Sequence, residues 1–143
     1  MDFLYDILEV AIYSVLGIAL MMLGNFLIDL IIPCSFPEEI KRGNKAVGFV
    51  SAGTNIGVGM LLKAAISSPA AAAAKETLLT GLTGSVLYFA VGILFFMLGY
   101  LVIRFFNKQY NLNDEVGCGN TAAGIMVAGI FIGLATVISG VIA

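Results

Sequence analysis

Charged residues divide this chain into four long stretches that hold almost none. From Glu9 to Asp29 no charge intervenes, enough residues to cross a hydrocarbon layer of about 30 Å at about 1.5 Å of helical rise each. The second stretch runs from about Asn44 to Ser67, with Lys45 at its very start, and is interrupted late by Lys63. The third runs from about Thr77 to Phe106, charge-free until Arg104, and the fourth from about Asn120 to Ala143. Regular apolar–polar alternation, the mark of a membrane barrel, is absent from them. Lipid offers backbone groups no hydrogen bonds, so a spanning segment of this kind must be a helix. The pattern predicts an all-α integral membrane protein of four helices.

The connections are short. "PCSFPEEIKRG" (33–43) holds two prolines that stop one helix and open the next, and "NKQYNLNDEVGCG" (107–119) takes the same place later in the chain. Between the halves lies "SSPAAAAAKETLLTG" (67–81). Ser68 and Pro69 read as an N-cap and first-turn pair, and the alanine run favours helix. The third helix is therefore expected to begin near Pro69, with its first turns at the membrane surface. A disordered linker is the alternative.

The polar punctuation is written twice. "EEIKRGNKAVGFVSAGTNIG" (38–57) is answered 76 residues later by "DEVGCGNTAAGIMVAGIFIG" (114–133). Upstream, "YSVLGIALMMLGNFLI" from Tyr13 is answered by "YFAVGILFFMLGYLVI" from Tyr88, 75 residues on. Gly17 pairs with Gly92 and Gly24 with Gly99. Past the one-residue insertion, Glu39 pairs with Glu115, Gly43 with Gly119 and Asn44 with Asn120. Apolar composition alone would not keep these residues in step. Two helical hairpins follow, residues 1–68 and 69–143. An even number of crossings gives both the same orientation, with an expected pseudo-two-fold axis along the membrane normal.

At about 100° per residue, two faces separate on the second helix. One carries Ala46, Gly53, Gly57 and Ala64, matched on the fourth by Ala122, Gly129, Gly133 and Gly140. Small-residue stripes let helix backbones approach closely in lipid, so these residues, with Gly17, Gly24, Gly92 and Gly99, are expected at helix contacts. Glycines lining a pore are the alternative. The other face carries Asn44, Gly48, Ser51, Asn55 and Gly59, against Asn120, Gly124, Val127, Phe131 and Ala135. Here the deeper polar residues survive only in the first copy. A buried Asn55 needs a partner or water, so this face meets either a neighbouring helix or a small aqueous cavity. Lys63 is expected to snorkel to the surface, and Tyr13 and Tyr88 to anchor at the interface. Asp29 and Arg104 hold equivalent places, and an ion pair between them is expected across the axis, with snorkelling as the alternative.

Composition narrows the chemistry. Of 143 residues 60% are hydrophobic and 11% charged, against roughly 25% charged in a soluble domain. The net charge of −2 gives no reason to expect nucleic acid. Without a single His, imidazole bases, imidazole metal ligands and His-containing triads drop out. No cofactor or metal set is apparent. Cys34 and Cys118 form no CxxC pair and read as unreactive thiols. Glu39 and Glu115 read as first-turn acids facing the positive helix end, with Asn44 and Asn120 capping or bracing each hairpin; paired catalytic carboxylates are the sharper alternative, with no nucleophile beside them. The acidic amino end lacks the basic region of a secretory signal and reads as a retained membrane helix.

Lys41, Arg42, Lys45, Arg104 and Lys108 flank the two intra-hairpin loops, against Lys63 and Lys75 on the side of both termini. That bias places the loops in the cytoplasm and both termini outside.

The unit 38–57 with its preceding Gly-containing helix resembles the bacterial membrane proteins grouped as domain-of-unknown-function family 350, in which a two-helix unit commonly occurs in tandem. The resemblance rests on Gly43, Asn44, Ala46, Gly53 and Gly57 and on Gly119, Asn120, Ala122, Gly129 and Gly133. It implies a membrane location, no established activity and, from the gene company of some members, an envelope-associated partner. Asn55 and Lys63 depart from the usual apolar filling.

Two functions fit. One is a non-enzymatic inner-membrane protein acting by assembly, as a homo-oligomer in membrane lipid or with a protein partner at loops 33–43 and 106–119. The other is a small channel or transporter formed by an oligomer, using Ser51, Asn55 and Lys63.

Overall fold

The computed structural model describes residues 2–68, 78–109 and 111–143. Its helices are α1 (Asp2–Asp29), α2 (Phe36–Lys41), α3 (Lys45–Ile66), α4 (Leu78–Phe106), α5 (Leu112–Gly117) and α6 (Thr121–Ile142); no strand occurs among the described residues. α1, α3, α4 and α6 are long and apolar enough to cross a membrane. The expected helix start at Pro69 and the alanine run lie outside the described residues. Ser68 itself is buried at the end of α3, its hydroxyl donating to the Ala65 carbonyl.

Glycines mark where the helices meet. A Cβ on Gly24 would lie 2.9 Å from Val58 Cγ1, and one on Gly17 3.3 Å from Leu62. Residue numbers rise along α1 as they fall along α3, so the first hairpin is antiparallel. The second repeats this with Gly99 against Leu134 at 2.8 Å and Gly92 against Ile142 at 3.1 Å. Between hairpins, Gly53 meets Ala128 and Gly124 meets Ala46, numbers rising together. Thus α3 and α6 run parallel, and the hairpins share one orientation.

α3 is the centre of the bundle. Ala46, Val47, Val50, Val58, Leu61 and Ala65 have no exposed surface. Phe96, Tyr100 and Phe131 fill the remaining space from α4 and α6. Thr54 and Ser85 donate to the carbonyls one turn back, which satisfies buried hydroxyls inside apolar helices. Outward-facing Ile18, Met22, Phe26, Leu87, Leu94 and Phe95 form the exposed apolar belt expected where lipid is the solvent.

Candidate functional site

The repeated Glu-x-x-x-Gly-Asn motif is a turn with its chemistry built in. α2 ends when Gly43 takes φ +78°, a conformation that L side chains adopt at about 1–2 kcal/mol cost. The Gly43 N–H then bonds the Ile40 carbonyl and the Asn44 N–H the Glu39 carbonyl, the paired bonds of a Schellman ending. Asn44 at once caps α3, its Oδ1 accepting from the Val47 N–H at 3.2 Å, while its Nδ2 donates to Glu39 Oε2 at 2.9 Å. Gly119, at φ +86°, and Asn120 reproduce this turn after α5. Asn120 Oδ1 accepts from the Ala122 and Ala123 N–H groups and its Nδ2 donates to Glu115 Oε2. The two turns differ in reach. Asn44 Nδ2 also lies 3.2 Å from the Val116 carbonyl and 3.3 Å from that of Gly117, tying the first repeat to the second. Among the described residues, Asn120 bonds within its own repeat.

Glu39 is held by the Asn44 amide and by Arg42, whose Nη1 lies 2.9 Å from Oε1. These donors, the amide foremost and the nearby cation next, keep its carboxyl below the usual carboxylate range. Glu39 and Glu115 both stand in the first turns of their short helices.

The small-residue stripes part company. Gly53 presses on the other hairpin: a Cβ there would lie 2.5 Å from Ala128 Cα. Ala46, Gly57 and Ala64 are buried beside it. On α6, however, Ala122, Gly129, Gly133 and Gly140 are exposed, and a Cβ on any of those three glycines would meet nothing within 4 Å. The reason is rotational. α6 turns its other face, Gly124, Ala128 and Phe131, toward α3, so the stripe of one repeat packs on the opposite face of the next. A pseudo-two-fold contact would also have brought Ala52 to Gly129 and Gly48 to Ala122, yet Gly48 and Gly129 are both open. The expected two-fold axis between the repeats is therefore replaced by a heterologous contact. Gly124, whose added Cβ would sit 2.5 Å from the Ala46 carbonyl oxygen, is a contact residue that the stripe pattern does not single out; its pairing with Gly48 was the available signal.

Asp29 and Arg104 are not brought together: the one ion pair among the described residues is Arg42–Glu39. Equivalent positions face each other only across a two-fold. Cys34, half-buried, and Cys118, exposed, are free thiols. Burial, and then the charges of Glu39 and Asp29, push the Cys34 thiol up.

Asn55 meets a neighbouring helix. Asn25 Nδ2 donates to its Oδ1 at 2.8 Å, and its own Nδ2 donates to the Ser51 carbonyl at 2.8 Å. The repeat equivalents of Asn25 and Asn55 are Tyr100 and Phe131, whose rings stack 4.7 Å apart. One location thus holds an amide pair in the first hairpin and an aromatic pair in the second. The Tyr100 hydroxyl donates to Asn113 Oδ1 at 3.0 Å, and Asn113 Nδ2 lies 3.4 Å from the Ile31 carbonyl. Asn25 and Asn113 carry no repeated-motif signal, so the sequence pattern passes over both. Lys63 is exposed, beside an open hollow of about 320 Å³ lined also by Ser67, Thr136 and Ser139.

The family described as Domain of Unknown Function (DUF350) matches over residues 2–84 and again over 77–143. The chain belongs to this family. A UPF0719 transmembrane protein of Aquifex aeolicus is 26% identical over 132 residues, 92% of this chain and 48% of that protein. UPF0719 transmembrane protein YshE of Bacillus subtilis is 23% identical over 134 residues, 94% of this chain and 92% of that protein. The chain thus spans about half the length of the Aquifex relative and nearly all of the Bacillus one. No solved structure matches. As a DUF350 chain with four helices among its described residues long and apolar enough to cross a membrane, it is a multi-pass membrane protein.

Proposed function

We propose that this DUF350 protein is a non-enzymatic component of the bacterial inner membrane that acts by assembly, with itself or with a protein partner at its loops. The observation that carries this reading is the open face of α6. Ala122, Gly129, Gly133 and Gly140 offer a neighbouring helix close backbone approach, a common basis of helix association in lipid, and they are exposed. The acids support it too. Glu39 and Glu115 are engaged in holding turns, which is structural work. Lys41, Arg42 and Lys108 around the turns favour loops 33–43 and 106–119 in the cytoplasm and both termini outside, available to a cytoplasmic partner. Reporter fusions at each terminus and in each loop test that orientation, and cytoplasmic termini would reverse it. Native mass measurement in lipid nanodiscs tests assembly: more than one chain per particle is expected, and a single chain at high protein-to-lipid ratio refutes it.

The amide pair favours a second reading, an oligomeric channel or transporter. Asn25, Ser51 and Asn55 are half-exposed within the spanning helices, polar where lipid contact is costly. Ser51→Cys, Asn55→Cys and Gly59→Cys, in a background lacking Cys34 and Cys118, report water there. Labelling by a membrane-impermeant thiol reagent supports a conducting path, and protection at all three positions removes it.

A further inference from the structure

The contact between the repeats leaves each with one unsatisfied half. The first repeat spends its stripe on the second. The second has the same stripe free, and the first has free the face that would receive it. Residue by residue, the losses of cover line up. Leu61 and Ala65 have no exposed surface, while their equivalents Val137 and Val141 are 68% and 83% exposed. On the receiving side, Phe89, Ile93 and Phe96 of α4 are buried, whereas Ser14, Ile18 and Met21 of α1 are exposed or half-buried.

Two polar observations point the same way. Asn44 reaches the Val116 and Gly117 carbonyls of the other repeat; the corresponding reach from Asn120 would end on the carbonyls of Ile40 and Lys41, but its bonds among the described residues stay within its own repeat. Glu115, Asn120, Ala122, Ala123 and Met126 line an open hollow of about 380 Å³. Their equivalents, Glu39, Asn44, Ala46, Val47 and Val50, border the ground where the first repeat receives α6.

We infer that a second copy of this chain fills the vacancy: the second repeat of one copy packs on the first repeat of the next as the first repeat packs on the second within the chain. The register follows from the internal contact. Gly53 on Ala128 becomes Gly129 on Ala52 of the neighbouring copy, and Ala46 on Gly124 becomes Ala122 on its Gly48. Gly133 then comes against its Asn55 and Gly59. The parallel hairpins keep this head-to-tail contact within the plane of the membrane, so repetition builds a ring or an open row. The inference rests on the self-assembly reading and specifies its surface.

Chains lacking Cys34 and Cys118 and carrying either Ala52→Cys or Gly129→Cys, with different tags, are coexpressed and oxidised in membranes. The internal counterpart brings a Cβ on Gly53 to 2.7 Å from the Ala128 Cβ, closer than the roughly 3.8 Å of a disulfide, so the sulfurs are in reach. The mixed pair should cross-link, neither variant alone should, and both substitutions in one chain should give a ladder. A Gly129→Cys dimer without the other variant would mean a two-fold contact and overturn the inference. A wild-type oligomer whose mixed cysteines stay apart overturns this register while leaving self-assembly standing; a wild-type monomer sinks both. Gly129→Leu, which meets open space in its own chain, should reduce the assembly to single folded chains, and an unchanged mass is contrary evidence free of folding defects.

Discussion

Gly53 and Gly129 are equivalent in sequence and opposite in surroundings, so adding one methyl to each is an informative perturbation. In Gly53→Ala the new Cβ would lie 2.5 Å from Ala128 Cα, 2.7 Å from its Cβ and 2.9 Å from its carbonyl oxygen. Ordinary carbon contacts lie at about 3.5–4.0 Å. The obstacle is mainly backbone and cannot rotate aside, so α3 and α6 must part by about 1 Å there. A gap of that size forfeits roughly a quarter to a half of each dispersion contact along the seam. Overpacking penalties run to about 3 kcal/mol, and this site belongs at the upper end. Against it stands about 1 kcal/mol gained when Ala replaces Gly in a helix interior.

Gly53→Ala should therefore destabilise the fold by about 2 kcal/mol, and Gly129→Ala, with nothing within 4 Å, should stabilise it by about 1 kcal/mol from helix propensity alone. Propensity cancels in the comparison. The remaining difference of about 3 kcal/mol is roughly a hundredfold in the folded-to-unfolded ratio. Helicity measured while a denaturing detergent is titrated into dilute, single-chain micelles reads both variants. Equal shifts at the two sites would refute the heterologous contact, because a two-fold seam would crowd both methyls alike.

Asn44→Ala and Asn120→Ala each remove a helix cap, about 1 kcal/mol, but Asn44→Ala also severs the bonds to the second repeat and should cost about 1 kcal/mol more; the same detergent titration compares them. Because Glu39 is depressed in the fold by the Asn44 amide and by Arg42, its contribution is present above the ordinary carboxylate range and is lost as pH falls through the lowered value. The unfolding midpoint of the wild type should thus fall more steeply in acid than that of Glu39→Gln, and parallel curves would dismiss the link. Maleimide should modify exposed Cys118 before half-buried Cys34, whose thiol is held protonated by burial and by neighbouring acids; a faster Cys34 would contradict the packing of the first loop.

The four helices and the two turns were legible because their causes are local. A charge-free stretch long enough to span lipid dictates a helix. A glycine that can take positive φ, followed by an asparagine that can cap, dictates a stop and a restart. The hairpin contacts at Gly24 and Gly99 also repeat, each against a residue of its own hairpin. The relation between the hairpins was not legible. Matching small-residue stripes on two helices suggest like meeting like, and only the rotation of α6 in space shows that the stripe of α3 packs on Gly124 and Ala128. The expected pairing of Asp29 with Arg104 failed for the same reason, since it assumed the axis.

That rotation also accounts for where the copies have diverged. Positions 25 and 55 of the first hairpin lie on the face left open by the internal contact, and there an amide pair persists, half-exposed and bonded to itself. Positions 100 and 131 lie on the face closed by α3, with no exposed surface at Phe131 and almost none at Tyr100. An amide pair sealed there would have to recover its full hydrogen bonding among apolar neighbours. Two stacked rings instead fill the volume opposite Gly57, where the Phe96 ring also packs, and leave one hydroxyl for Asn113 to accept. Two tandem copies joined by a closed two-fold would have felt the same environment at both positions, with no physical reason to differ. In a head-to-tail pair one copy's face is buried and the other's is not. The split between amide and aromatic at one repeated location therefore records in the sequence the same asymmetry that the glycine contacts show in space.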